Sequence, residues 1–350
     1  MDQYGADAVR FTLSSMAVPG TDIPFSTERM KGYSAFANKV WNAARFVLMN
    51  LDENQAPVSA EMIDELLSKK RDRMPLEDLW ILHRLNQISG DIAEALDKFR
   101  FHDASSLIYQ FIWHELCDWY IELVKPVLTI PSAREEEKAE RVMVLVHTLD
   151  CALRLLHPFM PYITEEIWQK MPHEGESIMI QEFPRPRSVR EHSTAARNMQ
   201  ELMDLIISVR SIRAEMDIDP KKTLASVLVI PDVRARENVQ ENIDKVCYLA
   251  RLSQVSYGES LPANLLKGVW RLGEFGLAVQ GIIDYEAVRE RIQKEMARIR
   301  SESEKILKKL DSHEFIARAP EEVVAENRTR LAEMHERMKK LETNLNQLPS

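Results

Sequence analysis

Glycine and cysteine are scarce in this chain, and long apolar runs are absent. It has 10 glycines and 3 cysteines among 350 residues. So few glycines disfavour a doubly wound sheet with glycine-rich phosphate loops, and they favour helix. Cys117, Cys151 and Cys247 are widely spaced, which indicates a reducing, cytoplasmic compartment and not a disulfide framework. Because neither an eighteen-residue apolar run nor a signal peptide is recognisable, we expect no membrane span and no secretion.

The charge balance is acidic, with a formal net charge of -9 from 46 basic and 55 acidic residues. Taken alone, this balance weakly disfavours a nucleic-acid partner, since proteins that bind phosphate without sequence preference are usually basic. From residue 284 onward, fourteen basic side chains balance fourteen acidic ones, so the whole excess lies in the preceding residues. Local basic faces are therefore still compatible with nucleic-acid binding.

The first half of the chain carries apolar residues at helical spacing. Phe36, Val40 and Ala44 fall on one face, which is the pattern of a helix packed against a core. The pattern predicts a helix bundle over residues 31–172, preceded by a connector over residues 1–30. Helices are expected at about 59–70, 75–99, 103–125 (ending near Pro126) and 134–156.

Residues 188–283 change pattern and predict a small α+β module. Thr223–Ile230 is a β-branched apolar run bounded by prolines, which indicates a strand. A helix is expected at about 233–247, and the segments around Gly273 are typical of a hairpin. The linker before the module contains Pro184–Arg187, whose basic side chains suggest a phosphate contact.

Residues 284–350 predict an antiparallel coiled-coil arm. Ile292, Ile299 and Ile306 stand seven residues apart, and a second apolar series steps by three and four later in the tail. The segment Asp311–Pro320 interrupts the two series, so we expect the chain to turn back on itself. The predicted fold class is therefore mainly α, with a helix bundle, a small α+β module and a C-terminal antiparallel coiled-coil hairpin.

One helix of the bundle carries side chains suited to single-stranded RNA: Asn38, Lys39, Asn42, Arg45 and Phe46. Amides can bond base edges, aromatic rings can stack on bases and cations can meet phosphates. A simpler interpretation is an exposed polar face with one buried aromatic ring, and composition alone favours it. The residue types of this helix therefore leave both interpretations open.

Other conspicuous residues have simpler interpretations. Three tryptophans fall on helical faces and are expected in the core: Trp41, Trp113 and Trp119. Two His–Cys pairs at helical spacing would allow a split zinc site: His114, Cys117, His147 and Cys151. Because cysteine is commonly a small core residue, we expect these pairs to bind no metal.

Four motifs carry a family resemblance. Phe36–Phe46 and Trp113–Glu122 resemble the anticodon-binding helical domain of the class Ia aminoacyl-tRNA synthetases. Leu156–Glu166 is similar to a segment shared by the valine, isoleucine and leucine enzymes of that class. Phe315–Val324, between the two tail helices, resembles the valine enzymes. The resemblance covers nearly the whole chain and implies the part of such an enzyme that binds tRNA.

The resemblance implies where tRNA binds. In the valine enzymes the anticodon loop lies against the first motif, which makes Lys39 and Phe46 the leading candidates. The candidates on the bundle are Asn38, Lys39, Asn42, Arg45, Phe46, Ile121 and Lys125. The hairpin of those enzymes reaches the outer corner of the tRNA, which implies contacts from the first tail helix. The candidates there are Arg291, Lys294, Arg298, Lys305, Lys308 and Lys309.

The resemblance also implies what the chain does not do alone. Both short active-site signatures of class I synthetases are absent, and Tyr4–Asp7 resembles a segment just downstream of the catalytic domain. We therefore expect a cytoplasmic, monomeric tRNA-binding part that is inactive by itself and holds no cofactor or metal. The full-length valine–tRNA ligase (an aminoacyl-tRNA ligase) would use ATP and Mg²⁺, with valine tRNA and its own catalytic and editing domains as partners.

Two alternatives differ from this prediction. The same role in an isoleucine or leucine enzyme fits the bundle motifs, although the tail motif disfavours it. A coiled-coil scaffold that binds other proteins fits the heptads alone.

Overall fold

The computed structural model describes residues 3–18, 20, 26–52, 55–129, 134–281, 285–312 and 321–347. The chain divides into two compact units, Met1–Gln200 and Glu201–Ser350. The described residues are mainly helical with one small sheet, which confirms the predicted fold class. No helix within these ranges has both the length and the apolar character needed to cross a membrane.

The first unit is a bundle of helices. Ser26 begins the second of them, because its side chain accepts a hydrogen bond from the Arg29 backbone amide at 3.3 Å. The α-helices are α1 (Ala6–Met16), α2 (Thr27–Leu48), α3 (Ala60–Lys70), α4 (Leu76–Asp97), α5 (Phe101–Gln110), α6 (Ile121–Thr129), α7 (Glu135–Leu156) and α8 (Pro161–Trp168). Short 3₁₀ turns lie at Arg71–Arg73, Ile178–Ile180 and Ser188–Arg190.

A cluster of aromatic rings joins α1, α2 and α5. The ring centroid of Phe11 lies 4.7 Å from that of Tyr33 and 5.5 Å from that of Phe36. Tyr109 lies 4.8 Å from Phe36 and stacks on Trp113 at 5.6 Å. Because large rings bury much apolar area, this cluster fixes α2 against the helix that begins with α5.

The helix of the second motif differs from the prediction in two ways. Between α5 and α6 the chain forms a π-helix over Phe111–Tyr120, so the whole run from Phe101 to Thr129 stays helical. The predicted end near Pro126 is wrong, because Pro126 lies inside α6. A proline this close to a helix end removes one backbone hydrogen bond only, and the last turn survives. The Thr129 hydroxyl donates to the Lys125 carbonyl at 2.8 Å there.

The second unit contains the small sheet. It follows α9 (Ser193–Glu215) and comprises β1 (Leu224–Val229), α10 (Val233–Glu241), α11 (Ile243–Ala250), β2 (Leu252–Tyr257), β3 (Leu266–Trp270) and β4 (Gly273–Leu277). The strand order is β2-β1-β4-β3; β1 and β2 are parallel, and the other two pairs are antiparallel. The single helix predicted at 233–247 is wrong, since the chain breaks at Asn242. A Cβ at Gly268 would lie 2.4 Å from Ile212 Cδ1, so α9 packs closely on the sheet.

The tail forms two helices that pack against each other, α12 (Tyr285–Leu310) and α13 (Glu321–Gln347). Ile292, Ile299 and Ile306 are buried along α12, which confirms the heptad prediction. Ser303 Oγ lies 3.6 Å from Met334 Sδ across the pair. Most of the Phe315–Val324 motif lies outside the described residues.

Candidate nucleic-acid interface

The two motifs of the first unit lie side by side on α2 and on the helix that contains the π-helical turn. Phe36 stacks on Trp113 with ring centroids 6.2 Å apart. Along α2 the residues Phe36, Val40, Ala44 and Val47 are buried, as their helical spacing predicts. The opposite side of α2 therefore faces solvent, and most of the polar candidates lie on it.

Lys39 is held by two neighbours on the facing helix. Its Nζ lies 2.5 Å from Asp118 Oδ1 and 4.0 Å from the Trp113 ring centroid. The side chain is 25% exposed, and Asp118 Oδ2 also lies 3.2 Å from His114 Nδ1. An ammonium in this position must leave Asp118 before it can approach a phosphate directly.

The π-helical turn explains why Trp113 and Asp118 both reach Lys39. In an α-helix, residues five apart point about 140° away from each other. In the wider turn of a π-helix, side chains five residues apart point in more similar directions. Such π-helical turns are frequent at functional sites. No residue of Phe111–Tyr120 signals this turn in the sequence, so the prediction missed it.

Phe46 and Lys125 form a second cation–aromatic contact, with Lys125 Nζ 5.8 Å from the ring centroid. Phe46 is half-buried, and Lys125 also pairs with Glu122. Ile121 is 5% exposed, so its side chain belongs to the core beside this contact. The structure thus brings Phe46 and Lys125 together and offers little surface from Ile121.

Three polar candidates on α2 are exposed: Asn38, Asn42 and Arg45. Among the residues that the structure describes, none pairs with them through a hydrogen bond or an ion pair. We call these three residues the polar strip. Its amides and guanidinium keep their donors and acceptors available for a ligand.

Trp41 lies beside the polar strip and contradicts its predicted place in the core. The side chain is 37% exposed, whereas Trp113 and Trp119 are half-buried. Lys170, just after α8, places its Nζ 5.6 Å from the Trp41 ring centroid. The prediction was wrong because it rested on the size and apolar character of the ring, whereas Trp41 points about 100° from Val40 and about 60° from Ala44, outside the buried face of α2.

The basic candidates of the second unit all lie on the exposed sides of α12. Arg291 pairs with Asp217 at 2.9 Å and donates to the Glu215 carbonyl at 2.9 Å. Lys294 pairs with Glu290 at 3.4 Å. The other four have no partner among the described residues: Arg298, Lys305, Lys308 and Lys309. These four cations are therefore the ones that are available to phosphate.

Of the two linker arginines that suggested a phosphate contact, Arg187 binds carboxylates, whereas Arg185 is exposed. Arg187 lies 2.8 Å from Glu61 Oε1 and 2.7 Å from Asp64 Oδ2. Arg190 lies 2.8 Å from Asp64 Oδ1 and 2.9 Å from His147 Nε2. These contacts clamp residues 187–190 to the start of α3, so Arg187 has a structural role.

The split zinc site does not form. His147 Nε2 accepts from Arg190, and burial lowers the pKa of this imidazole to about 3. Burial also raises the pKa of the Cys117 and Cys151 thiols to about 12, which disfavours the thiolate that a metal needs. Within the described ranges, no three side chains of His, Cys, Asp or Glu come together as metal ligands.

Comparison with known proteins matches two families. The family described as anticodon-binding domain of tRNA ligase matches residues 78–229, and the family described as valyl tRNA synthetase tRNA binding arm matches residues 284–349. The LeuRS–tRNA–LeuAMS ternary complex of Agrobacterium radiobacter shares 16% identity over 73% of this chain and 28% of that chain. Its TM-score of 0.39 is too low to indicate a shared fold.

Curated relatives extend the match to nearly the whole chain. The valine–tRNA ligase of Geobacter sulfurreducens is 41% identical over 95% of this chain and 37% of its own length. Those of Geobacillus kaustophilus and Thermotoga maritima are each 37% identical over 99% of this chain and 38% of their own length. The chain thus spans less than two-fifths of these relatives, and it matches their C-terminal part. Because these relatives are 37–41% identical over nearly the whole chain, it belongs to the valyl-tRNA synthetase family and corresponds to the C-terminal part of that family's members.

Proposed function

We propose that this chain binds valine tRNA on behalf of a valine–tRNA ligase, with the bundle reading the anticodon loop and the arm bracing the tRNA body. The observation that carries the proposal is the polar strip, because exposed amides and a guanidinium that have no partner among the described residues lie next to aromatic rings on one helix. Unstacked bases of an RNA loop are bound by polar groups that hydrogen-bond to the base edges and by aromatic rings on which the bases stack. The strip lies before residue 78, so support for it comes from the relatives that match α2.

The four available cations of α12 support the role of the arm. Arg298 and Lys305 are seven residues apart and point about 20° from each other, and Lys308 points about 60° from Lys305 and about 80° from Arg298 around the helix axis. Glu295 and Glu302 point toward α13 instead, where Arg337 Nε lies 3.0 Å from Glu295 and Arg330 lies 3.7 Å from Glu302. These two carboxylates therefore stabilise the hairpin, while Arg298, Lys305 and Lys308 remain exposed to solvent.

The longer relatives are named valine–tRNA ligases, and we extend that activity to the enzyme to which this chain belongs. In that enzyme ATP and Mg²⁺ would serve the catalytic domain. The described residues offer no cluster of metal ligands, and the chain has no glycine-rich phosphate loop. We further propose that the protein works in the cytoplasm as a monomer, since its three thiols are unpaired and its heptads pair within one chain.

Binding of the 350-residue chain to fluorescent valine tRNA tests the proposal. An anticodon-substituted valine tRNA and a non-cognate tRNA serve as matched ligands, and each is titrated at several salt concentrations. We expect salt-sensitive binding that weakens when the anticodon changes, because phosphate contacts release counterions and base contacts discriminate. Equal affinity for all three RNAs would refute anticodon reading, and absence of binding at low salt would refute the whole proposal.

A further inference from the structure

The polar strip is flanked by two cation–aromatic pairs, one on each side. Counting about 100° per residue around α2, Asn38, Asn42 and Arg45 fall within about 60° of one another. Phe46, with Lys125 over its ring, lies on one side of them. Trp41, with Lys170 over its ring, lies on the other side. The two rings point about 140° apart and are separated by about 7.5 Å along the helix axis.

We infer that Trp41 is a base-stacking platform for a nucleotide of the tRNA, with Lys170 positioned for the adjacent phosphate. This inference rests on the proposed function and adds a nucleotide-binding position on the side of the polar strip away from Phe46. The two rings are too far apart to hold the same base. They therefore hold different nucleotides of one RNA loop, with the strip between them.

The surroundings of Trp41 fit this role. An indole in a monomer core is normally covered, yet Trp41 keeps 37% of its surface in solvent although it is the largest side chain on α2. Lys170 is held near the ring by an ion pair with Glu166 one helical turn earlier. Its side chain is itself 47% exposed, so the ammonium faces solvent as well as the indole. An aromatic face beside an exposed cation is the arrangement with which proteins bind single-stranded nucleic acid.

The test uses the anticodon stem-loop of valine tRNA as an RNA hairpin, with 2-aminopurine placed in turn at each loop position. Trp41→Ala should weaken binding roughly 5- to 100-fold, which is the range for removal of one base–aromatic stack. Trp41→Phe should retain most of the affinity, since a phenyl ring still offers a face. With the wild-type chain, 2-aminopurine at one loop position should be quenched on binding, and Trp41→Ala should abolish that quenching.

Phe101→Ala is the matched control, because Phe101 has nearly the same exposed fraction, 40%, and begins α5 away from the polar strip. It should leave affinity and quenching unchanged. Circular dichroism melting of each variant verifies that the bundle is folded. Lys170→Ala should weaken binding less than Trp41→Ala and reduce the salt slope by roughly 0.7, the value for one phosphate contact on a single strand.

The outcomes separate this inference from the proposed function. If folded Trp41→Ala binds the hairpin like the wild type while Arg45→Ala and Phe46→Ala lose affinity, Trp41 is not a platform and anticodon binding stands. If Trp41→Ala and Phe101→Ala weaken binding equally, the effect is not specific to this ring and the inference is overturned. If the wild-type chain does not bind the hairpin at all, both the inference and the anticodon role are refuted.

Discussion

At the scale of single residues, Asp118 decides how available Lys39 is to RNA. The carboxylate holds the ammonium at 2.5 Å and adds a negative charge to the face proposed for tRNA. We expect Asp118→Asn to tighten tRNA binding about 2- to 5-fold at low salt, because a partly exposed ion pair is worth less than about 1 kcal/mol and is readily exchanged for a phosphate. Lys39→Ala should act in the opposite direction. The measurement is the tRNA affinity of both variants at two salt concentrations.

Glu65→Gln is the control for Asp118→Asn, since Glu65 also pairs with a lysine, Lys69, on an exposed helical surface. It removes the same charge from the same unit. Equal tightening by both substitutions would mean that only net charge matters and that Lys39 has no special place.

A second prediction at this scale concerns a buried polar cluster in the first unit. The Tyr120 hydroxyl donates to Asp78 Oδ1 at 2.8 Å, and Arg141 pairs with Asp78 at 2.8 Å and with Glu77 at 2.9 Å. Tyr120→Phe leaves a buried carboxylate with one donor fewer, so the free energy of unfolding should fall by about 1–3 kcal/mol. Urea unfolding measures the decrease. Tyr162→Phe changes an exposed hydroxyl, and an equal decrease there would contradict this explanation.

Whether the environment of a single residue could be predicted from the sequence depends on how far apart the contacting residues stand in the chain. The solvent-facing side of α2 follows from helical spacing, because Phe36, Val40 and Ala44 define the buried side. The ion pair that restrains Lys39 does not follow from helical spacing, since its partner Asp118 stands 79 residues away in the chain. It further requires the π-helical turn, for which no local pattern exists.

At the scale of elements, two imidazoles hold residues 190–192 against α7 and α4, in addition to the ion pairs with α3. His147 Nε2 accepts from Arg190, and His83 Nδ1 accepts from the His192 backbone amide at 3.0 Å. Burial lowers the pKa of His147 to about 3 and that of His192 to about 4, and it also lowers the pKa of His83. His147 and His83 must stay uncharged for these accepting contacts to persist.

The sign of the pH dependence follows from these lowered pKa values. In the unfolded chain His147 and His192 bind protons as the pH falls below about 6.5, whereas in the folded chain their pKa values are about 3 and about 4. Stability is therefore fully present above about pH 6.5 and falls on acidification, by on the order of 1.4 kcal/mol per pH unit for the fully buried His147 and by less for His192, which solvent screens in part. Thermal unfolding between pH 7 and pH 5 measures the decline in Tm.

Substitution of two histidines tests whether the buried imidazoles cause the pH dependence of stability. His147→Gln should flatten the dependence of Tm on pH, even if it lowers Tm at neutral pH. His335→Gln, at an exposed position on α13, should leave the slope as it is in the wild type. A wild-type Tm that stays constant from pH 7 to pH 5 would show that these imidazoles are not protected by folding.

Elements were predictable where one periodic pattern covered many residues. Helices α3, α4 and α7 lie within one or two residues of their expected bounds, because their apolar stripes are long and regular. The break at Asn242 and the continuation through Pro126 were not predictable, since each depends on one local hydrogen bond. Asn242 Nδ2 donates to the Asn238 carbonyl at 2.9 Å, while Thr129 closes the turn that contains Pro126.

At the scale of the whole molecule, an acidic chain is proposed to bind a polyanion. The net charge of -9 opposes the approach of tRNA as a whole, while the residues from 284 onward are neutral in sum. Binding must therefore depend on the placement of cations and not on their number. The sequence could give the totals, but it could not show that Glu295 and Glu302 pair with α13 and leave Arg298, Lys305 and Lys308 without described partners.

The solvent-facing cations of α12 lead to a prediction for the arm. The triple substitution Arg298→Ala, Lys305→Ala, Lys308→Ala should weaken binding of every tRNA alike and reduce the slope of log affinity against log salt by roughly 2 to 3, about one unit for each phosphate that the arm no longer neutralises. Discrimination between valine tRNA and its anticodon-substituted form should persist, because the polar strip on α2 is intact. The control triple replaces arginines that pair with glutamates in the second unit: Arg289, Arg330 and Arg337. It removes the same charge, so equal weakening by both triples would mean that net charge and not the solvent-facing side of α12 attracts the tRNA.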